Sequence, residues 1–478
     1  MTNRNEIRMV RPVMSNEFSS QPTLRDLFRN GNFVKFWTGQ LISYLGDRID
    51  QMAMIAVVSA GVSRSVGADH ANMITFWGTL PYVLVSLFAG PIVDRFDRRK
   101  LMIVLDIFRA LVVITLPFAI SPEHDARVIY ALVFLIGCAT AIFAPAKSAF
   151  LPEIVPSHHL LRANSITSTM GTLTTLFGTI IGGALVSILA RLNAIAHETM
   201  PVLNVVRLPL GLAVAFAIDA ATYVVSALLL WLVVVESGQR SHVAERLQEV
   251  EKEGGFFLRL RDGFAFLLKH RIPALAAFTV SWFFFLGGAY FTLTTKLVYL
   301  RLVEGTEQPT LKLGYAYGIL GLGLALGGII AGRIANTIPL RYFIPLCFIS
   351  AGLFIQCNAL PLPPKFLYLV NFAIGLTAGG VVVTMETVMQ KAVPDAMRGR
   401  VFALNNLLLN TLLLGSLLAG AHFLGENGTI AARFGNIDVR IAIWARIICV
   451  LSLIAAGVAF VGFQSNVTIA RLRADEHN

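Results

Sequence analysis

The stretch Gly90-Pro91-Ile92-Val93-Asp94-Arg95-Phe96-Asp97-Arg98-Arg99-Lys100 decides how the rest of the sequence is read. It is densely charged and sits between two long apolar runs, Met73–Ala89 and Leu101–Ile120. Charges this close together are too costly in hydrocarbon, so the stretch marks a turn of the chain in water at a membrane surface.

Composition agrees. The 478 residues are 56% hydrophobic and 14% charged, with mean hydropathy +0.70, whereas soluble domains carry about 25% charged residues. The net charge of +11 does not point to nucleic acid, because no aromatic–basic surface pattern accompanies it. Basic residues flanking membrane spans account for it. Cys138, Cys347, Cys357 and Cys449 all lie in apolar text without C-x-x-C spacing, and read as small core residues rather than disulfides or metal ligands. The first 33 residues are polar and basic with no early apolar core, so the first apolar span is expected to act as the insertion signal.

A bilayer-crossing helix needs about 20 apolar residues. Runs of that order fall at about 34–63, 71–92, 101–120, 127–148, 163–190 and 211–235, and again at about 273–299, 314–335, 341–360, 366–389, 400–424 and 440–464. The expectation is an all-α integral membrane protein of about twelve transmembrane helices in two pseudo-symmetric six-helix bundles. Residues 1–33 form an N-terminal segment, 34–235 and 273–464 the two bundles, 236–272 a linker and 465–478 a tail. The linker mixes seven basic residues, from Arg240 to Arg271, with Glu245, Glu249, Glu251 and Glu253. Its second part, Phe256–Leu268, carries aromatics and arginines at helical spacing and reads as an interfacial helix.

An even number of spans leaves both termini on one side. The basic N-terminus, Arg95–Lys100, the linker, Lys391–Arg400 and the tail residues Arg471 and Arg473 all fall there, while opposite loops such as Ser121–Arg127 are nearly balanced. That bias places both termini in the cytoplasm, with a bacterial inner membrane as the expected location.

The chain also repeats itself. Val155-Pro156 with Arg162 recurs as Val393-Pro394 with Arg400, an offset of 393 − 155 = 238. Gly178-Thr179-Ile180-Ile181-Gly182-Gly183 resembles Gly415-Ser416-Leu417-Leu418-Ala419-Gly420 at 415 − 178 = 237, and Ala89-Gly90 matches Ala331-Gly332 at 331 − 89 = 242. A duplicated six-helix unit follows, and such halves usually hold the substrate site at their interface.

Ionisable residues inside spans are expensive and are candidates for function. Asp47 and Arg48 lie about thirteen residues into the first span, roughly 20 Å along it. Asp50 and Gln51 follow at i+3 and i+4 and share a face with Asp47. Two neighbouring carboxylates on a cavity face suit proton coupling or substrate contact; an Asp–Arg pair that only fixes helix packing is the alternative. Asp219 has either a transport role or an interhelical hydrogen bond. Glu386 is a cavity acid or an interfacial partner of Arg398 or Arg400. Asp106 and Arg109, spaced i, i+3 near the Arg95–Lys100 stretch, read as a structural or gating pair. The aromatics of Ser281–Phe285, with Tyr290 and Phe291, are packing bulk or the lining of an apolar cavity.

Gly90, Asp94, Arg95, Arg98 and Arg99 match G-x-x-x-D-R-x-G-R-R, and the stretch resembles the loop after the second helix of the major facilitator superfamily. Asp97 departs from the pattern by standing at its glycine, and the second-half counterpart Gly332–Pro339 has lost most of its charge. Phe143-Ala144-Pro145-Ala146-Lys147-Ser148, Leu151-Pro152-Glu153-Ile154-Val155-Pro156 and Val393-Pro394-Asp395-Ala396-Met397-Arg398-Gly399-Arg400 are similar to the exporter branch that includes the enterobactin exporter and macrolide-efflux-type proteins. Pro145-Ala146-Lys147 is also similar to the lysophospholipid transporters. Drug/proton antiporters carry G-P-x-x-G-G in the fifth helix; Gly178, Gly182 and Gly183 keep its glycines, and Thr179 replaces its proline.

The resemblance implies alternating access, with Gly90, Asp94, Arg95, Arg98 and Arg99, supported by Asp106 and Arg109, as a conformational latch. The expected function is proton-coupled efflux of a small amphiphilic or hydrophobic molecule, drug- or siderophore-like, by an antiporter. The partners would be that small molecule, membrane lipid, and a proton or another coupling ion. A lysophospholipid transporter is the second reading, and a non-transporting membrane sensor of the same fold the third. The chain has no Gly-Lys dipeptide and hence no G-x-x-x-x-G-K-[ST] phosphate cradle, which excludes a nucleotide-driven pump of that type. It also has no H-E-x-x-H, no G-x-S-x-G and no His/Cys cluster, so neither an enzyme nor a cofactor is expected.

Overall fold

A computed structural model describes residues 24–59, 62–119, 126–156, 159–196, 210–234, 256–303, 309–334, 337–360, 362–425 and 436–463. The expected N-terminal segment up to residue 23, the linker over 235–255, Asn336 and the tail lie outside the described residues.

The first half begins with a short α1 (Leu24–Arg29). It continues with α2 (Gly31–Ser59), α3 (Arg64–Leu84), α4 (Ser86–Arg95), α5 (Arg98–Ala119), α6 (Arg127–Ile154), α7 (Leu160–Ala196) and α8 (Leu210–Trp231). After the linker come α9 (Phe256–Lys269), α10 (Arg271–Leu297, prolonged by the π-turn Val298–Leu302), α11 (Pro309–Ile334), α12 (Leu340–Cys357), α13 (Phe366–Ala392), α14 (Asp395–Leu424) and α15 (Ile437–Gly462).

Ten of these helices, α5–α8 and α10–α15, are long and apolar enough to cross a membrane by composition. The expected first two spans are not among the ten, for a physical reason. The α2 helix carries Lys35, Asp47, Arg48 and Asp50, and α3 carries Arg64, Asp69, His70 and Asn72. Both turn polar residues inward, where Gln40, Asp50 and Asn72 are buried. At 29 residues, α2 is roughly 43 Å long, ample for a bilayer. The α3 and α4 helices meet at Val85, which keeps helical φ −87 and ψ −29 and donates to the Pro81 carbonyl, so the pair forms one broken span. The fourth span runs on to Ile154 instead of ending near residue 148, with Pro145 and Pro152 inside the helix.

The two halves repeat the same packing. In the first, α2 contacts α7 and α8, α3 contacts α6, and α5 contacts α6 and α8; in the second, α10 contacts α14 and α15, α11 contacts α13, and α12 contacts α13 and α15. Equivalent helices begin about 240 residues apart, as with Gly31 and Arg271 (271 − 31 = 240) or Arg127 and Phe366 (366 − 127 = 239). The α11–α13 contact is the tightest kind, backbone against small residue: a Cβ on Gly323 or Gly327 would strike the Phe372 or Leu376 carbonyl.

Across the halves, α7 packs on α11 and α3 on α14 and α10. A Cβ on Gly183 of α7 would lie 2.6 Å from the Thr310 carbonyl of α11. At the face opposite the described chain ends, Leu24 and Phe463, Ser59 and Tyr299 share a 2.5 Å hydroxyl–hydroxyl bond. Lys296 donates there to Asp69 Oδ1 at 2.7 Å and to the Ser65 carbonyl at 2.8 Å. The halves are therefore closed against each other on that face. The α9 helix, expected at the membrane interface, lies against α14, with Gly263 over the Arg400 carbonyl and Arg400 Nη1 3.4 Å from Asp262 Oδ2.

Candidate functional site

The buried charges of the first half meet at mid-depth. Asp106 and Arg109 stand eight and eleven residues after the start of α5 at Arg98, about 12 and 17 Å along the helix. They form a buried ion pair between Arg109 Nη2 and Asp106 Oδ1. The Arg109 guanidinium is sandwiched by two rings, 4.3 Å from the Tyr223 centroid on α8 and 4.5 Å from Phe143 on α6. Cation–π contact of this kind partly replaces the water that burial removes. Tyr223 turns its hydroxyl to α2 and donates to Asp47 Oδ1 at 2.5 Å. One chain of contacts thus links α5, α8 and α2.

Beside it, Asp219 on α8 is fully buried, with Oδ1 accepting from Thr222 Oγ1 at 3.2 Å and Oδ2 unpartnered. Asp50 is also buried, and its Oδ1 has no partner. Asp47, Asp50 and Asp219 lie within electrostatic reach of one another. The close approach depends on Gly46, because a Cβ there would overlap Asp219 Oδ1 and Thr222 Oγ1. Buried carboxylate oxygens without donors are costly. Arg48 faces away from it, with Nη1 donating to Gln51 Oε1 at 2.9 Å and its stem packed against Gly178.

The Gly90–Lys100 stretch is built differently. Gly90 and Asp94 lie in α4, and the surroundings of the Asp94 side chain fall outside what is described. Arg95 is exposed at the end of α4. Arg98 pairs with Glu153 at the end of α6. Arg99 donates to the carbonyls of Leu230, at 2.9 Å through Nε, and of Trp231, where α8 ends. A cation on the last carbonyls of a helix also meets the negative end of its dipole. Asp97, at the glycine of the pattern, accepts from the Lys100 amide at 3.0 Å and so caps α5. Asp106 and Arg109, expected to act with this stretch, instead join Asp47 and Tyr223 in the membrane interior.

Glu386 is an exposed residue of α13. The arginines suggested as its partners are engaged elsewhere: Arg398 donates to the Gln390 carbonyl at 2.9 Å, and Arg400 pairs with Asp262.

The second half holds a cavity of about 280 Å³ with almost no polar wall. Phe283, Phe284, Tyr290 and Phe291 of α10 line it, with Tyr317 of α11 and Thr75 of α3 from the other half. Trp282 does not line it; its ring stacks between Phe278 and Phe285. Gly287 opens onto the cavity, where a Cβ would meet nothing within 4 Å. Tyr290 is held by a hydrogen bond to Asn371 Oδ1, and Asn371 Nδ2 donates to the Ala316 carbonyl at 3.1 Å.

Tyr223, Lys296 and Asp69 were not singled out by the sequence reading, and Lys147 entered it only as part of the Phe143–Ser148 motif. Lys147 donates to the Tyr44 hydroxyl inside the first half. Both lysines carried a usable signal, a cation within an apolar run. Tyr223 carried none, because a tyrosine in a span is unremarkable until its neighbours are known. Among the described residues no group of three or more His, Cys, Asp or Glu is placed to hold a metal ion.

Residues 36–420 match the Major Facilitator Superfamily. The chain is 23% identical over 389 residues to an uncharacterized MFS-type transporter of Bacillus subtilis, YkuC, covering 80% of this chain and 83% of that one. It is 23% identical over 386 residues to macrolide efflux protein A of Streptococcus pyogenes, covering 79% and 85%. Its fold is similar to that of a bacterial homologue of the human lysosomal transporter Spinster in an inward-facing, unoccupied conformation, with TM-score 0.64, 15% identity, and 93% and 98% of the two chains covered.

Proposed function

The chain belongs to the major facilitator superfamily, and from that premise we propose that it is a proton-coupled exporter of a small amphiphilic or hydrophobic molecule, working by alternating access. The superfamily makes it a multi-pass membrane transporter and not an enzyme. The observation that carries the finer reading is a division of labour. The ionisable cluster of Asp47, Asp50, Asp106, Arg109 and Asp219 lies in the first half, and the apolar cavity lies in the second with Thr75 reaching into it.

The cavity suits an apolar body. At about 280 Å³ it is at the lower edge of pockets for drug-sized ligands. A macrolide-sized cargo therefore requires the cavity to widen as the halves move, whereas a compact amphiphile does not. The likeness to macrolide efflux protein A favours export over uptake. The basic bias of the termini side supports a cytoplasmic location for both termini, which makes the closed face the outer one.

In this reading residues 34–235 and 273–464 are the two moving bundles, joined by the linker 236–272. Arg98 and Arg99, pairing with Glu153 and the end of α8, serve with Gly90, Asp94 and Arg95 as the latch that holds the cytoplasmic ends of the first bundle together. Arg48 and Glu386 stand as candidates for contact with the cargo.

The deciding experiment uses proteoliposomes with an imposed pH gradient. Asp47→Asn abolishes uphill export and leaves exchange intact; uphill export at the wild-type rate removes Asp47 from coupling. A thermal-shift screen of macrolides, siderophores and lysophospholipids addresses the cargo. Selective stabilisation by lysophospholipids would favour the lipid-carrier reading.

A further inference from the structure

A groove of about 700 Å³ runs between the interfacial helix α9 and the termini-side ends of α10, α14 and α15. Its walls are apolar, with Phe264 and Leu268 from α9, Phe278 from α10, and Leu408 and Leu412 from α14. Phe264, Leu268 and Phe278 are exposed although they sit beside a membrane-spanning bundle. Two cations, Lys269 and Arg271, stand at the groove, and among the described residues no carboxylate lines it. The acid of α9, Asp262, turns to Arg400 and Arg261. Arg271 uses one guanidinium nitrogen, Nη2, on the Val461 carbonyl at 3.3 Å, which leaves further N–H donors of the same fork for an anion.

The depth of the groove is informative. It extends along α10 from Arg271 to Ser281, and 281 − 271 = 10 residues is about 15 Å of helix. That is half of the roughly 30 Å hydrocarbon core, the reach of one leaflet. A site with paired cations at the membrane surface and an apolar trough one leaflet deep has the dimensions and the polarity of a single phospholipid.

We propose that this groove binds an anionic phospholipid of the termini-side leaflet. Its phosphate rests against Lys269 and Arg271 and an acyl chain lies along Phe278, Leu408 and Leu412. The bound lipid fills the gap between α9 and the second bundle, in a place separate from the cavity among α10, α11 and α13.

Native mass spectrometry of the full chain in detergent, with phosphatidylglycerol or phosphatidylcholine of identical chains added in turn, tests this. The wild type retains phosphatidylglycerol at least about fivefold better, and Lys269→Gln and Arg271→Gln each lower that preference by about fivefold, the worth of one cation near a membrane surface. Arg261→Gln removes an exposed cation of the same helix outside the groove and leaves the preference unchanged. Leu412→Trp fills the trough with both cations kept and also lowers phosphatidylglycerol retention. Equal retention of the two lipids by the wild type, an effect of Arg261→Gln as large as that of Lys269→Gln, or full retention by Leu412→Trp would each overturn the site.

Discussion

Lys296 Nζ on α10 lies 2.7 Å from Asp69 Oδ1 on α3, so one ion pair ties the two halves together at the face opposite the termini. The lysine is fully buried and also donates to the Ser65 carbonyl. Breaking one partner of a buried pair costs about 3–5 kcal/mol, which is enough to change which face of an alternating-access carrier is closed.

Replacing Lys296 with methionine therefore opens this face. Spin labels at Val62 and Leu360, exposed residues on the two halves near this face, report it through their distance distribution. It shifts to longer distances in Lys296→Met; an unchanged distribution would show that the pair does not hold the closure.

Tyr223 does two things, and substitutions separate them. Tyr223→Phe removes the donation to Asp47 and keeps the ring against Arg109, costing about 1 kcal/mol. Tyr223→Ala also removes the ring and costs about 3–5 kcal/mol. Thermal unfolding in detergent measures both; equal losses would mean that the ring contributes nothing to holding Arg109.

Neighbouring glycines on α7 serve different interfaces. A Cβ on Gly182 would lie 2.8 Å from the Arg48 carbonyl within the same half, whereas one on Gly183 would reach the other half at Thr310. Gly182→Val is expected to lower the thermal unfolding temperature, since overpacking a filled contact costs about 1–3 kcal/mol. Gly183→Val is expected to spare stability and stop transport, because it blocks closure of the halves. Normal transport by Gly183→Val would rule out that contact as part of the cycle.

Filling the apolar cavity discriminates cargo binding from folding. Gly287 has open space beside it, so Gly287→Leu keeps or slightly raises stability by up to about 1 kcal/mol through the unfolded chain. The same change occupies part of the 280 Å³ cavity, and transport KM rises at least about tenfold if the cargo binds there. A KM at the wild-type value would move the cargo elsewhere.

Asp97 caps α5 through the Lys100 amide. Asp97→Ala should cost about 1 kcal/mol, whereas Asp97→Gly, which restores the residue of the family pattern, costs only a few tenths. The two unfolding midpoints, compared in one detergent, check this; equal losses would remove the capping role.

The sequence alone determined the class of molecule and its broad plan. Apolar runs about 20 residues long, a turn within Gly90–Lys100, which the structure narrows to Phe96 and Asp97 between two helices, and half-chain offsets near 240 are properties of local text, because hydrocarbon demands length and apolarity from each span separately. Asp47, Asp50, Asp106, Arg109 and Asp219 were also legible, since a charge in an apolar run needs no tertiary information to stand out. Their grouping was not. Asp106 and Arg109 read by proximity as companions of the surface turn, yet helical rotation and packing carry Arg109 against Tyr223, 223 − 109 = 114 residues away, and into electrostatic reach of Asp47, 109 − 47 = 62 residues away. Lys296 and Asp69 meet only because the two halves close on each other. Which charges neutralise one another, and which face is shut, were decided by the tertiary structure, because an ion pair is set by distances of a few ångströms that no spacing along the chain encodes.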